Sequence, residues 1–225
     1  MRISAVVLDM DGLMLDTEPM YKAAWQQASA ELGCTLDDPS YMTLVGRPTE
    51  DCERELVRFF GPGFPLARFR SRWPELWRVA AEDRGIRTKA GLGAFLSFVE
   101  GHKLPVAVAT SSDGNYTDFS LRRAGLSGRF PIVVTGDQVA QGKPAPDIYL
   151  AAAQRLAIDP SQCIALEDSD AGVLSASAAG MVPVCIPDLK PPSEAAVLAA
   201  FRVLPSLDEA RWLLARLIAM GQSVG

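Results

Sequence analysis

The sequence predicts an α/β fold: a doubly wound parallel sheet with a helical domain inserted near its start. Three observations carry this. Apolar runs of strand length recur through the second half of the chain, with helix-length segments between them. A further apolar run stands close to the N-terminus, and residues 18–87, just past it, hold no strand-like run. Regular strand–helix alternation builds a parallel sheet with helices on both faces, and continuous apolar runs suit strands buried on both sides.

The elements can be taken in order. "VVLD" (6–9) supplies the first strand. The insert reads as helices over "EPMYKAAWQQASAELG", "PTEDCERELVRFFG" and "PLARFRSRWPELWRVAAEDRG". Trp73 and Trp77, four apart, share a helical face and pack into a core, while Pro74 is expected to kink or break that third segment. Strands then fall at 104–109, 131–135, 163–167 and 182–187, and helices at 91–100, 115–124, 146–157, 171–179 and 206–220. Gly101, Gly125 and Gly180 stand where glycines end helices, and Pro146 stands in a first helical turn. The predicted domains are therefore a discontinuous Rossmann-like core, residues 1–17 and 88–225, and a helical insert, residues 18–87.

Composition narrows the function. With 225 residues, 48% of them hydrophobic, the chain can bury a sizeable core. Net charge is −5, and no basic patch or lysine-rich tail marks a nucleic-acid partner. The apolar run before Asp9 is too short for a secretion signal, and none approaches the roughly 20 residues of a membrane span. Cys34, Cys52, Cys163 and Cys185 lack C-x-x-C spacing and read as reduced thiols, so the expected location is the cytoplasm. A monomer is compatible with the sequence. The single histidine, His102, reads as an exposed loop residue before a strand, which leaves proton transfers to carboxylates.

In parallel α/β sheets ligands bind beyond the carboxyl ends of the strands, so the residues just past each apolar run matter most. Asp9 and Asp11 come after the first. Thr110, Ser111, Ser112 and Asp113 come after "VAVA", Lys143 lies beyond "PIVVT", and Glu167, Asp168, Ser169 and Asp170 come after "CIAL". Four of these carboxylates, Asp9, Asp11, Glu167 and Asp168, meeting at one sheet edge call for a hard cation, and Mg2+ together with a substrate phosphate fits. The Thr110 hydroxyl and the Lys143 ammonium are donors suited to a phosphoryl group. Asp9 can then serve as nucleophile, and Asp11 as the acid that protonates the leaving oxygen and the base that later activates water.

Each motif also has a blander reading. "DMDG" is not a calcium-binding EF-hand loop, because Gly12 falls fourth and Met20 twelfth where that loop needs Gly sixth and Glu twelfth. "EDSDAG" also reads as a helix start capped by Ser169 or Asp170. "TSSDGN" reads alone as a polar loop and "GKPAPD" as a turn. It is their shared edge that points to one site.

With those residues in hand, the sequence resembles the haloacid dehalogenase superfamily, in the branch of small-molecule phosphatases and β-phosphoglucomutase. "DMDGLMLD", the hydroxyl ending "VAVAT", the lysine of "GKPAPDIYL" and "EDSDAG" match the family's four motifs in order over nearly the whole chain. The resemblance implies Asp9 as nucleophile and metal ligand. Asp11 becomes acid/base and metal ligand through its backbone carbonyl, and Asp168 a further ligand with Glu167 as an additional one. Thr110, Ser111 and Lys143 would hold the phosphoryl group. Residues 18–87 become a cap, with Gly46 and Arg47 approaching the substrate. The implied activity is magnesium-dependent hydrolysis of a small phosphorylated metabolite, a sugar phosphate or small phospho-acid, through an aspartyl-phosphate.

Alternatives are a phosphomutase and a non-catalytic phospho-acceptor module. Dehalogenases lack the second aspartate and the glycine that Asp11 and Gly12 supply here. A receiver-type signalling domain carries its acceptor on a central strand and has no helical insert, whereas here the acceptor candidate ends the first strand and an insert comes after it. The mutase's protective cap histidine aligns with Tyr21, a phenol that cannot play imidazole's part at neutral pH.

Overall fold

The computed structural model describes residues 2–45 and 49–222. These divide into two compact units, one of residues 1–16 and 87–225, the other of Thr17–Ile86.

The first unit is an all-parallel sheet of six strands: β1 (Ala5–Leu8), β2 (Val106–Ala109), β3 (Ile132–Val134), β4 (Cys163–Glu167), β5 (Val182–Cys185) and β6 (Arg202–Val203). Their order is β3-β2-β1-β4-β5-β6. From β1 the chain winds outward to β3, then returns to the other side of β1 at β4. That reversal between β1 and β4 is where such folds open a crevice beyond the strand ends. Pairing of Leu8 with both Val108 and Leu166 brings the ends of β1, β2 and β4 level. β1 and β4 are buried along their whole length, as continuous apolar runs require. β1 is therefore itself a central strand, so strand position does not separate this protein from a receiver domain; the helical unit does.

Five helices of this unit are α5 (Leu92–Gly101), α6 (Gly114–Arg123), α7 (Asp147–Leu156), α8 (Asp170–Ala178) and α10 (Leu207–Gln222), all at predicted places. A sixth, α9 (Glu194–Ala199), and the two-residue strand β6 were not predicted. Gly125 and Gly180 have the positive φ of helix terminators, 71° and 76°. Gly101 does not: it stays within α5, and Lys103 takes the left-handed conformation instead. Pro146 occupies the position just before the first turn of α7, with no side-chain capping bond. His102 is exposed at the end of α5, with Nδ1 2.9 Å from the Phe98 carbonyl oxygen.

The second unit contains α1 (Glu18–Glu31), α2 (Asp38–Leu44), α3 (Thr49–Phe60) and α4 (Leu66–Arg84). Its core is aromatic: Trp25 meets Phe69 and Tyr41 edge-on, with ring centroids 5.1 and 6.3 Å apart. Pro74 does not break α4, which runs through it. Proline removes one intrahelical hydrogen bond, but here it is not buried, while Trp73 and Trp77 are packed against Tyr21. The helix α2 went unpredicted although Asp37 caps it, accepting from Ser40 N at 2.9 Å.

Candidate active site

Asp9 leaves the end of β1 and is 7% exposed. The chain then folds back on itself over residues 10–15, with Gly12 N donating to Leu15 O. Gly12 sits at φ 82°, and a Cβ there would overlap the Asp168 carboxylate. The glycine of "DMDG" is thus what allows the first and fourth motifs to lie against each other.

Lys143 comes from the loop between β3 and α7. Its ammonium donates to Asp9 Oδ1 at 2.5 Å, to Glu167 Oε1 at 2.5 Å and to the Ala109 carbonyl at 3.0 Å. All three of its protons are used. Glu167, fully buried at the end of β4, also accepts from the Tyr149 hydroxyl at 2.5 Å and from Ser169 Oγ at 3.1 Å. Ser169 at the same time caps α8 by accepting from Gly172 N. A side chain at Gly172 would collide with the Glu167 carboxylate, so the third residue of α8 must be a glycine.

One carboxylate oxygen each from Asp9, Glu167 and Asp168 lies within 4.8 Å of the others. Three acids face one lysine. Burial, then repulsion from Glu167 and Asp11, raises Asp9 to about 8 against the pull of Lys143. Burial, then the charges of Asp9, Glu167 and Asp188, drives Asp168 well above the carboxylate range. Burial alone would lower Lys143, but Asp9 and Glu167 outweigh it and hold the ammonium charged. A purely oxygen donor set, buried and with surplus negative charge, fits a hard divalent cation such as Mg2+.

The Asp11 carboxylate stands apart from that trio, although the sequence pattern predicts all four acids together. It accepts from Ser112 Oγ at 2.9 Å and from the Tyr116 hydroxyl at 2.8 Å. Tyr116 lies in the first turn of α6, which Asp113 caps by accepting from Tyr116 N. Thr110 is buried just past β2, where its Oγ1 accepts from Ser112 N at 3.1 Å; Ser111 beside it is exposed. Asp170 of "EDSD" turns to another task, accepting from Ser193 N at 3.0 Å. Gly46 and Arg47 lie outside the described residues. Sequence reasoning placed Ser112 at this strand end without giving it a role, and passed over Tyr116 and Tyr149. The one signal for Tyr149 was an aromatic residue on the helix that comes after Lys143.

Comparison with known proteins identifies the family. A phosphorylated carbohydrates phosphatase of Thermotoga maritima is 33% identical over 80% of this chain and 82% of its own. The fructose-1-phosphate phosphatase YqaB of Escherichia coli is 32% identical over 80% of this chain and 94% of its own. Among solved structures, a Thermotoga maritima protein provisionally named a β-phosphoglucomutase superposes with a TM-score of 0.82 at 28% identity, covering 95% of this chain and 99% of that one. The family model of haloacid dehalogenase-like hydrolases matches residues 3–180. The chain belongs to the haloacid dehalogenase-like hydrolase family, and its enzyme class is that of the phosphoric monoester hydrolases.

Proposed function

We propose that the protein is a magnesium-dependent phosphatase that hydrolyses a small phosphorylated metabolite through an aspartyl-phosphate on Asp9. The observation that carries this reading is the Asp9 carboxylate at the carboxyl edge of central β1, gripped by Lys143 at 2.5 Å and flanked by Asp168.

In the first half-reaction an Asp9 oxygen attacks phosphorus and the bond to the leaving oxygen breaks. Asp11 gives that oxygen its proton. Lys143, the Thr110 hydroxyl and Ser111 hold the phosphoryl oxygens in place. In the second half-reaction Asp11 takes a proton from water, the water oxygen attacks phosphorus, and the bond to Asp9 breaks, restoring the carboxylate and releasing phosphate. Asp9, Asp168 and the Asp11 carbonyl would hold Mg2+, which supplies positive charge against the crowded phosphate and carboxylate oxygens. Glu167 spends its oxygens on Lys143, Tyr149 and Ser169, so its part is to aim the lysine.

The helical unit acts as a cap that sets which metabolite is accepted. The relatives named for phosphorylated carbohydrates and fructose 1-phosphate support a sugar phosphate. Hydrolysis is favoured over a mutase reaction because Tyr21 replaces the mutase's histidine. Its ring is packed 5.8 Å from Trp73 and 5.6 Å from Trp77, as a structural residue would be. The test is a panel of sugar phosphates and small phospho-acids assayed for phosphate release with Mg2+ and with a chelator. Activity that vanishes with the chelator and returns with Mg2+ is expected, and β-glucose 1-phosphate should yield free phosphate with little glucose 6-phosphate. Full turnover without metal, or clean conversion to the 6-phosphate, would sink the reading.

A further inference from the structure

Asp188 is a charged residue for which the chemistry above has no use. It lies beyond β5 at the same sheet edge as Asp9 and Asp168. Its Oδ1 accepts from Lys89 Nζ at 2.5 Å, and Lys89 also lies 3.8 Å from Asp16 Oδ1. Its Oδ2 is buried with no hydrogen-bond partner among the described residues, and the side chain is 11% exposed. A carboxylate oxygen shut away from water without a donor is unfavourable.

Gly12 shows what this oxygen faces. A Cβ built on Gly12 would overlap Asp168 Oδ2 and lie 3.5 Å from Asp188 Oδ2. Both carboxylates therefore aim an oxygen at the same small space beside a bare glycine. Two like charges there repel unless a donor stands between them. Lys89 is committed to the other oxygen of Asp188. Mg2+ keeps several of its own waters when bound by one or two carboxylates, and those waters need acceptors beyond the direct ligands.

We propose that Asp188 is a positioning residue for the metal site: Oδ2 accepts a hydrogen bond from water on the cation held by Asp9 and Asp168, and Lys89 clamps Oδ1 so that Oδ2 points there. This rests on the magnesium reading of the site. Asp188→Asn is nearly the same shape and still offers Lys89 an oxygen, but it turns an amide donor where an acceptor is needed. Facing Asp168, that amide also removes a repulsion in the metal-free protein.

The test uses the whole chain as wild type, Asp188→Asn and Asp168→Asn. Mg2+ affinity is measured by calorimetric titration, and melting is followed with a chelator and with Mg2+. Asp188→Asn should melt in the chelator at or above the wild-type temperature, yet bind Mg2+ about 10–100-fold more weakly and gain less from it on melting. Wild-type Mg2+ affinity in Asp188→Asn overturns the proposal. So does a lower metal-free melting temperature with an unchanged shift on adding Mg2+, since Asp188 would then be only structural. Wild-type affinity in Asp168→Asn would strike the magnesium reading itself, and the proposal with it.

Discussion

In the sheet unit the side chains of Lys143, Asp9 and Glu167 are 4%, 9% and 0% exposed, and the lysine bonds directly to both acids. In the helical unit ion pairs such as Arg72–Glu31 and Arg78–Glu82 lie at the surface. Its buried carboxylate among the described residues, Glu53, is met by Arg70, whose side chain is 57% exposed. The cores differ in the same sense. Around the sheet they are small and aliphatic, with Ala5, Val7, Ala107, Ala109 and Ala165 fully buried; between the helices they are aromatic. Small residues let strands and helices close tightly around charged groups, whereas large rings fill space without dictating where a carboxylate must stand. Burying charge opposes folding, so the unit that does so marks where the chemistry lies.

That contrast can be broken or sharpened by substitution. Asp9→Asn should lower phosphate release by about 10⁴-fold or more while leaving the fold intact, as loss of a nucleophile does. Near-normal turnover would remove the premise of the comparison. Lys143→Met comes next. It leaves Glu167, wholly buried, without its cation, so it should cost about 3–5 kcal/mol in urea unfolding of the metal-free protein, as breaking a buried ion pair does, along with most activity. Phe69→Ala, in the aromatic core, should cost about 3–5 kcal/mol through the cavity it leaves, with its effect in unfolding more than in turnover.

A smaller effect should come with pH. Burial holds Asp9 near 8 in place of 3.8, so between those values the folded metal-free protein keeps a proton that the unfolded chain releases. Stability from this group is therefore greatest at low pH and declines as pH rises through that window. Melting in a chelator should show a steeper decline for wild type than for Asp9→Asn, and coincident slopes would remove Asp9 as the cause. Arg72→Ala should change least: its pair with Glu31 at 2.6 Å is solvent-exposed, and melting and turnover should both stay close to wild type.

Much of this was legible in the sequence because burial on both faces writes an unbroken apolar run. β1 and β4 show it, and the acids at their ends stand out against it. β6 was not legible: it is two residues long and both are exposed, so burial left no mark. α9 was missed because six residues give too little periodicity, even with Ser193 as its cap. The site divides along the same line. Asp9, Lys143, Glu167 and Asp168 could be read from strand ends. Tyr116 and Asp188 could not, since Tyr116 is 105 residues from its partner Asp11 and Asp188 is 99 from Lys89. A tyrosine on a helix or an aspartate in a loop reads as surface until the fold supplies its partner.

Lys143 also does something for the chain that carries it. Between Gln138 and Asp147 there are only turns and bends, stitched by a few bonds such as Ala145 N to Gly142 O and Ser175 Oγ to Ala145 O. Within that stretch, one ammonium knots the loop to the ends of β1, β2 and β4. On the proposed mechanism, a phosphoryl group arriving at Asp9 would compete for the same three protons and give the loop slack. Deuterium uptake by the amides of residues 139–143 and Ala145 would then be a gauge of the site, slow while the knot is tied to protein alone and faster as an incoming anion draws it away.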